Sequence, residues 1–175
     1  MKEQMVIKNY PWGIVTVSNI IPLITYVLGG FIMFRIGYLW MFLYIGYILF
    51  IEFRLLANGC PDCYYYGKWC AFGRGKLSSL FFKKGDPERF ACRQVTWKEM
   101  APDFLVTLIP MISGIVLLIL HFYLSILLAV IGLVLLASAG NAFVRGQLAC
   151  KSCKQGEIGC PALDLFSKGK DTTQK

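Results

Sequence analysis

The stretch FLVTLIPMISGIVLLILHFYLSILLAVIGLVLLASAGNAF, Phe104 to Phe143, runs for forty residues without Lys, Arg, Asp or Glu. An α-helix rises about 1.5 Å per residue, so about twenty apolar residues cross a hydrocarbon core. The stretch is long enough for two crossings, with the turn expected at His121-Phe122-Tyr123. A soluble helix would show a polar stripe every three or four residues, and none appears.

The first half of the chain has the same character. Gly13 to Phe34 is uncharged, and Ile36 to Ile51 is uncharged and continues to Ala57 broken only by Glu52 and Arg54. Over 175 residues the hydrophobic fraction is 57% and the mean hydropathy +0.58, above the roughly 45–50% apolar content of ordinary soluble domains. The first run is too long for a signal-peptide core, lacks a small-residue cleavage site and is followed directly by a second run, so it reads as a permanent helix. The expected fold class is therefore an all-α integral membrane protein of the cell or inner membrane, with four transmembrane helices as two helical hairpins at about 13–34 with 36–57 and 104–121 with 124–144.

The net charge of +8 is explained by topology rather than by nucleic acid. Lys68, Arg74, Lys76, Lys83, Lys84, Arg89, Arg93 and Lys98 lie between helices two and three. Arg145, Lys151, Lys154, Lys168, Lys170 and Lys175 follow helix four. The first hairpin turn offers only Arg35 and the second no cation. Because basic loops stay on the cytoplasmic side, both termini and the central loop are expected there, facing anionic lipid. Tyr10, Trp12, Tyr64 to Tyr66, Trp69 and Trp97 flank the apolar runs and read as interfacial rings, apolar in body and polar at the tip.

The chain also repeats itself. Cys60-x2-Cys63-x6-Cys70 follows the first helix pair, and Cys150-x2-Cys153-x6-Cys160 follows the second. Ile21-Pro22 matches Ile109-Pro110, and Phe82-Lys83-Lys84-Gly85 matches Phe166-Ser167-Lys168-Gly169. With two crossings in each copy, the copies share one orientation, as in a parallel repeat. The expected organisation is a first repeat at 1–85, comprising two helices, a cysteine segment at 60–70 and a basic interfacial segment. A cytoplasmic linker follows at 86–102. The second repeat is 103–175, with its cysteine segment at 150–160 and a polar tail. Lys76 to Lys84 is expected as a short in-plane amphipathic helix, Thr96-x-x-Glu99 as a capping box, and Pro102 as a break before the third membrane helix.

Six of the seven cysteines fall in the two segments, and only Cys92 stands apart. A reducing cytoplasm disfavours stable disulfides. Cys-x2-Cys sets two thiolates on one turn, and a third six residues on can fold back beside them, a pattern suited to zinc or an iron–sulfur cluster. The candidate metal ligands are Cys60, Cys63, Cys70, Cys150, Cys153 and Cys160, with Cys92 as a further ligand. Three arrangements are open: six thiolates around two metals, a four-thiolate site that includes Cys92, or one open iron–sulfur site per trio. Lys68, Arg74, Lys151 and Lys154 are expected to lower the thiol pKa values.

The functional expectation is a cysteine-ligated metal or iron–sulfur centre held at the cytoplasmic face, for electron transfer to a membrane carrier or docking of a cytoplasmic partner. The alternatives are a membrane thiol oxidoreductase working through the Cys-x2-Cys pairs and a protein that handles soft metal ions. No Ser-His-Asp set, phosphate-binding Gly loop, dinucleotide fingerprint or His-Glu-x-x-His motif occurs, and too few polar groups lie in the apolar runs to build a conventional ion path in a monomer. An oligomer could create one. Asn141, among Ala137, Ser138, Ala139, Gly140 and Ala142, reads as a close helix contact.

Overall fold

A computed structural model describes residues 7–91, 97–150 and 152–160. Among them the secondary structure is helical, without a strand. Helices α1 (Trp12–Ile36) and α2 (Tyr38–Asn58) form the first pair. Two short helices follow, α3 (Arg74–Phe81) and α4 (Pro87–Ala91). Next come α5 (Trp97–Leu120), α6 (Leu124–Leu135) and α7 (Asn141–Phe143), and α8 (Lys154–Ile158) closes the described chain. Leu136–Gly140 and Val144–Ala149 are wider π-helical turns that continue α6 and α7 toward Cys150. Four helical stretches, Trp12–Ile36, Tyr38–Asn58, Glu99–Leu120 and Leu124–Gly146, are long and apolar enough to cross a membrane.

The third of these departs from expectation at its start. Pro102 does not break the helix, because α5 begins at Trp97 and runs through it. A proline frees only the carbonyl four residues back, here that of Lys98 in the first turn. Hydropathy located the membrane-compatible part of α5 and missed the more polar turn ahead of it. Thr96 of the expected capping box, Cys92, and the second Phe-x-Lys-Gly match at Phe166 lie outside the described residues.

The described chain forms two compact units. They do not follow the two halves of the sequence: each draws on both. One unit comprises Asn19–Phe53 with Trp97–Val144, and so holds most of the apolar helix length. Its centre is Ile32, Ile126, Ala129 and Val130, flanked by Leu28, Leu117 and Leu118. Gly114 allows close approach, since a Cβ there would meet Val130 Cγ2 at 2.5 Å. Around this seam, Leu23, Val27, Leu39, Phe42, Leu49, Ile119 and Leu128 are exposed, which is the surface that lipid tails would cover.

Polar atoms in this unit find partners across helices. Pro110 has no N–H to offer Val106, four residues back. The Tyr44 hydroxyl donates to that Val106 carbonyl at 2.8 Å. Gly29 leaves room for the Tyr44 ring, because a Cβ there would overlap its hydroxyl end. The Tyr26 hydroxyl donates to Glu52 Oε1 at 2.7 Å, and Tyr47 donates to the Pro102 carbonyl at 2.9 Å. At the hairpin turns the Arg35 guanidinium lies over the Tyr123 ring, 4.8 Å from its centroid.

Candidate functional site

The second unit gathers Met1–Ser18, Arg54–Thr96 and Arg145–Lys175, and so contains both cysteine segments. Its described core is Tyr10, Val15, Tyr65, Ala71 and Ala149. Cys63, Cys70, Cys150 and Cys153 pack against that core together with Ile7, Ile14, Tyr64 and Phe72. Thiols some ninety positions apart in sequence thus share one apolar cluster.

Each Cys-x2-Cys is a tight turn of the same kind. The Cys63 N–H donates to the Cys60 carbonyl at 3.3 Å, and the Tyr66 N–H to the Cys63 carbonyl at 3.0 Å. In the second segment the Cys153 N–H donates to the Cys150 carbonyl at 3.3 Å, and the Gly156 N–H to the Cys153 carbonyl at 3.0 Å. Successive turns aim backbone N–H groups inward, and sulfurs receive them. The Gly75 N–H donates to Cys70 Sγ at 3.4 Å. The backbone N–H groups of Tyr65 near Cys63, and of Gln155 and Gly156 near Cys153, act to lower the pKa values that burial raises.

A strap of N-terminal residues holds the segments together. The Ile7 N–H donates to the Ser152 carbonyl at 3.0 Å and the Tyr10 N–H to the Trp69 carbonyl at 2.9 Å. The Trp69 N–H returns a bond to Asn9 Oδ1 at 2.9 Å. The Tyr10 hydroxyl donates to the Ala149 carbonyl at 2.7 Å. Tyr65 donates to the Ile7 carbonyl at 2.5 Å and accepts the Lys154 N–H at 3.0 Å. Gln155 completes the link by accepting the Tyr64 N–H at 2.7 Å. Tyr10 and Tyr65 are therefore core residues, 3% and 2% exposed, and not the interfacial rings expected of them. A tyrosine can be buried once its hydroxyl has partners, and these two have them.

The described cysteines form no disulfide and are half-buried. Cys63 lies close enough to Cys60 and Cys70 of its own segment, and to Cys153 of the other, to feel their charge. Cys153 in turn feels Cys160, and Cys150 feels both. Burial is the main influence on acidity: it pushes Cys63 up to about 12 and raises Cys150 and Cys153. At Cys63, Cys150 and Cys153 burial outweighs the lowering expected from nearby cations. The Lys68 ammonium sits over the Tyr64 ring at 4.1 Å, Arg74 over Phe72 at 5.5 Å, and Lys154 pairs with Glu157 at 2.5 Å. Arg145 acts in the expected sense, on Cys150. Lys151 lies outside the described residues.

Among the described residues, no three His, Cys, Asp or Glu side chains converge as a ready set of metal ligands. What the fold supplies is two cysteine turns packed on one core, with Cys153 near enough to influence Cys63. Sequence reasoning selected these cysteines but missed Tyr10, Tyr65 and Gln155. The run of three tyrosines, Tyr64-Tyr65-Tyr66, beside Cys63 is the available signal.

No family model matches the chain, no curated protein matches it, and no solved structure matches its fold. The class that the fold defines is a helical protein with four helices able to span a membrane, as in an integral membrane protein. The particular feature within that class is a separate unit containing two cysteine-bearing turns.

Proposed function

We propose that this is an integral membrane protein built as a parallel repeat, and that its cysteine unit holds a thiolate-bound metal, either zinc or an iron–sulfur cluster, on the cytoplasmic side. The observation that carries the reading is the set of backbone N–H groups directed at the sulfurs of Cys63, Cys70 and Cys153 within one shared core. Such donors stabilise sulfur that carries negative charge. They tune metal-bound thiolates in the same way that other outer partners tune metal ligands. Metal binding would displace the thiol protons that burial otherwise retains. The concentration of Lys and Arg in the central loop and tail supports the orientation.

Cys63 and Cys153 are the central ligands in this reading, with Cys60, Cys70, Cys150 and Cys160 completing the set. The centre would serve electron transfer to a membrane carrier or the docking of a cytoplasmic partner, and the identity of the metal separates the two. Thiol oxidoreduction is the weaker reading, because a nucleophilic cysteine needs a lowered pKa and burial raises Cys63, Cys150 and Cys153.

The test is anaerobic purification followed by metal analysis and spectroscopy, on the parent protein and on Cys63→Ser and Cys153→Ser separately. The expected result is bound zinc, or iron with visible absorption, lost from each variant by about tenfold or more in affinity. Metal-free protein with reactive thiols would overturn the proposal. Metal retained equally by both variants would overturn the shared use of the two segments.

A further inference from the structure

The inner side of α3 is committed to the cysteine unit. Gly75 is buried where a Cβ would strike the Tyr65 carbonyl; its own carbonyl accepts the Gly67 N–H at 3.0 Å. Ser78 is fully buried one turn on. At the C-terminal end, the Tyr66 hydroxyl donates to the Phe82 carbonyl at 2.6 Å. These contacts fix which side of α3 faces outward.

That outer side carries Leu77, Leu80 and Phe81, spaced i, i+3 and i+4 and so contiguous on the helix surface. They are 43%, 73% and 70% exposed. Such a patch on an eight-residue helix, outside all four membrane-length helices, is not explained by the transmembrane reading. Its surroundings are basic: Lys76, Lys83 and Lys84 are exposed, and no Asp or Glu occurs from Cys63 to Gly85. Asp62 and Asp86 lie beyond the lysines, where Asp62 Oδ1 accepts the Asp86 N–H at 3.1 Å. The helix itself thus carries apolar side chains flanked by lysines and no acid, which matches the boundary between acyl chains and anionic headgroups. An acidic protein groove would supply the charge but not the depth of hydrocarbon.

We infer that the Leu77–Leu80–Phe81 face of α3 docks in the plane of an anionic lipid surface, with Lys76, Lys83 and Lys84 on the headgroup phosphates. Hydrophobic burial alone would hold so short a helix weakly; the cations supply the rest and make the contact sensitive to lipid charge. This docking does not depend on metal at the cysteines.

The test places a photoreactive benzoylphenylalanine at Phe81, and separately at Leu80, in the full-length protein reconstituted in nanodiscs. One set contains phosphatidylcholine alone and the other adds phosphatidylserine. Intact-mass analysis then identifies the adduct, and Leu49 in α2 serves as the lipid-exposed control. The expected result is a single-phospholipid adduct at both α3 positions, enriched in phosphatidylserine and reduced at least about fivefold when Lys76, Lys83 and Lys84 are changed to Gln. An adduct within the chain, an adduct to a second copy, or no adduct while Leu49 still labels would each overturn the inference. So would labelling that ignores both lipid charge and the lysine changes.

Discussion

Tyr44 shows how one hydroxyl can repair a defect that a proline creates. Pro110 leaves the Val106 carbonyl without its helical N–H, and hydrocarbon contains no water to replace it. Tyr44 Oη does so from α2, in space that Gly29 keeps open. Tyr44→Phe should therefore destabilise the protein by about 1–3 kcal/mol, the usual cost of an unpaired buried polar group. Thermal melting in detergent checks this. Gly29→Ala should cost a similar amount for the same reason, and the double variant should cost clearly less than the sum of the two. Additive losses would disconnect the pair. Ser78 presents the opposite case: its hydroxyl is buried without a hydrogen-bond partner among the described residues. Ser78→Ala should raise the melting temperature, by about 1 kcal/mol of stability. None of this could be seen in the sequence, because Pro110 names the defect but not the residue that mends it.

At the scale of elements, the four long helices and the cysteine turns answer to different forces. The helices rest on apolar length, so their positions were legible to within a few residues, except for the start of α5. The cysteine unit rests on burial and on hydrogen bonds from Tyr10, Tyr65 and the strap at Ile7, which makes it the pH-sensitive part. Burial moves Cys63 from its ordinary value near 9 and Tyr65 from near 10, each to about 12, and raises Tyr10 further. All three are favoured in their protonated forms when folded. The contributions of Cys63 and Tyr65 are complete below about pH 9 and are lost as pH rises toward and through about 12, and that of Tyr10 persists higher. In metal-free protein the unit should therefore open between these limits while the long helices persist. Trp12 and Trp69, with ring centroids 4.5 Å apart, report it: near-UV dichroism should fall before the far-UV helical signal. Simultaneous loss of both signals would show that the unit has no separate alkaline transition.

At the scale of the whole molecule, the cysteine unit is assembled from three distant parts of the chain, and its assembly hangs on the N-terminal strap. Tyr10→Ala removes the bond to Ala149 and a core ring packed 5.6 Å from Tyr65. Its expected effect is loss of the second cysteine segment from the core, read as faster maleimide labelling of Cys150 and Cys153 at neutral pH. The helical content should stay as it is. Unchanged labelling would mean that the strap is dispensable.

Membrane-length helices and the Cys-x2-Cys turns could be read from residue order because each depends on composition within one contiguous stretch. Transfer of about twenty apolar residues into hydrocarbon is a sum over neighbours in sequence, and Cys-x2-Cys spacing is a property of one turn. That Cys63 and Cys153 share a core, that Tyr10 and Tyr65 line it, and that α3 turns its leucines outward were settled only by folding. Each depends on hydrogen bonds and packing between remote segments, such as the bond from Tyr10 to Ala149, 139 positions away. A carbonyl accepts from whichever donor the fold brings to it, and composition along the chain carries no record of which one that is.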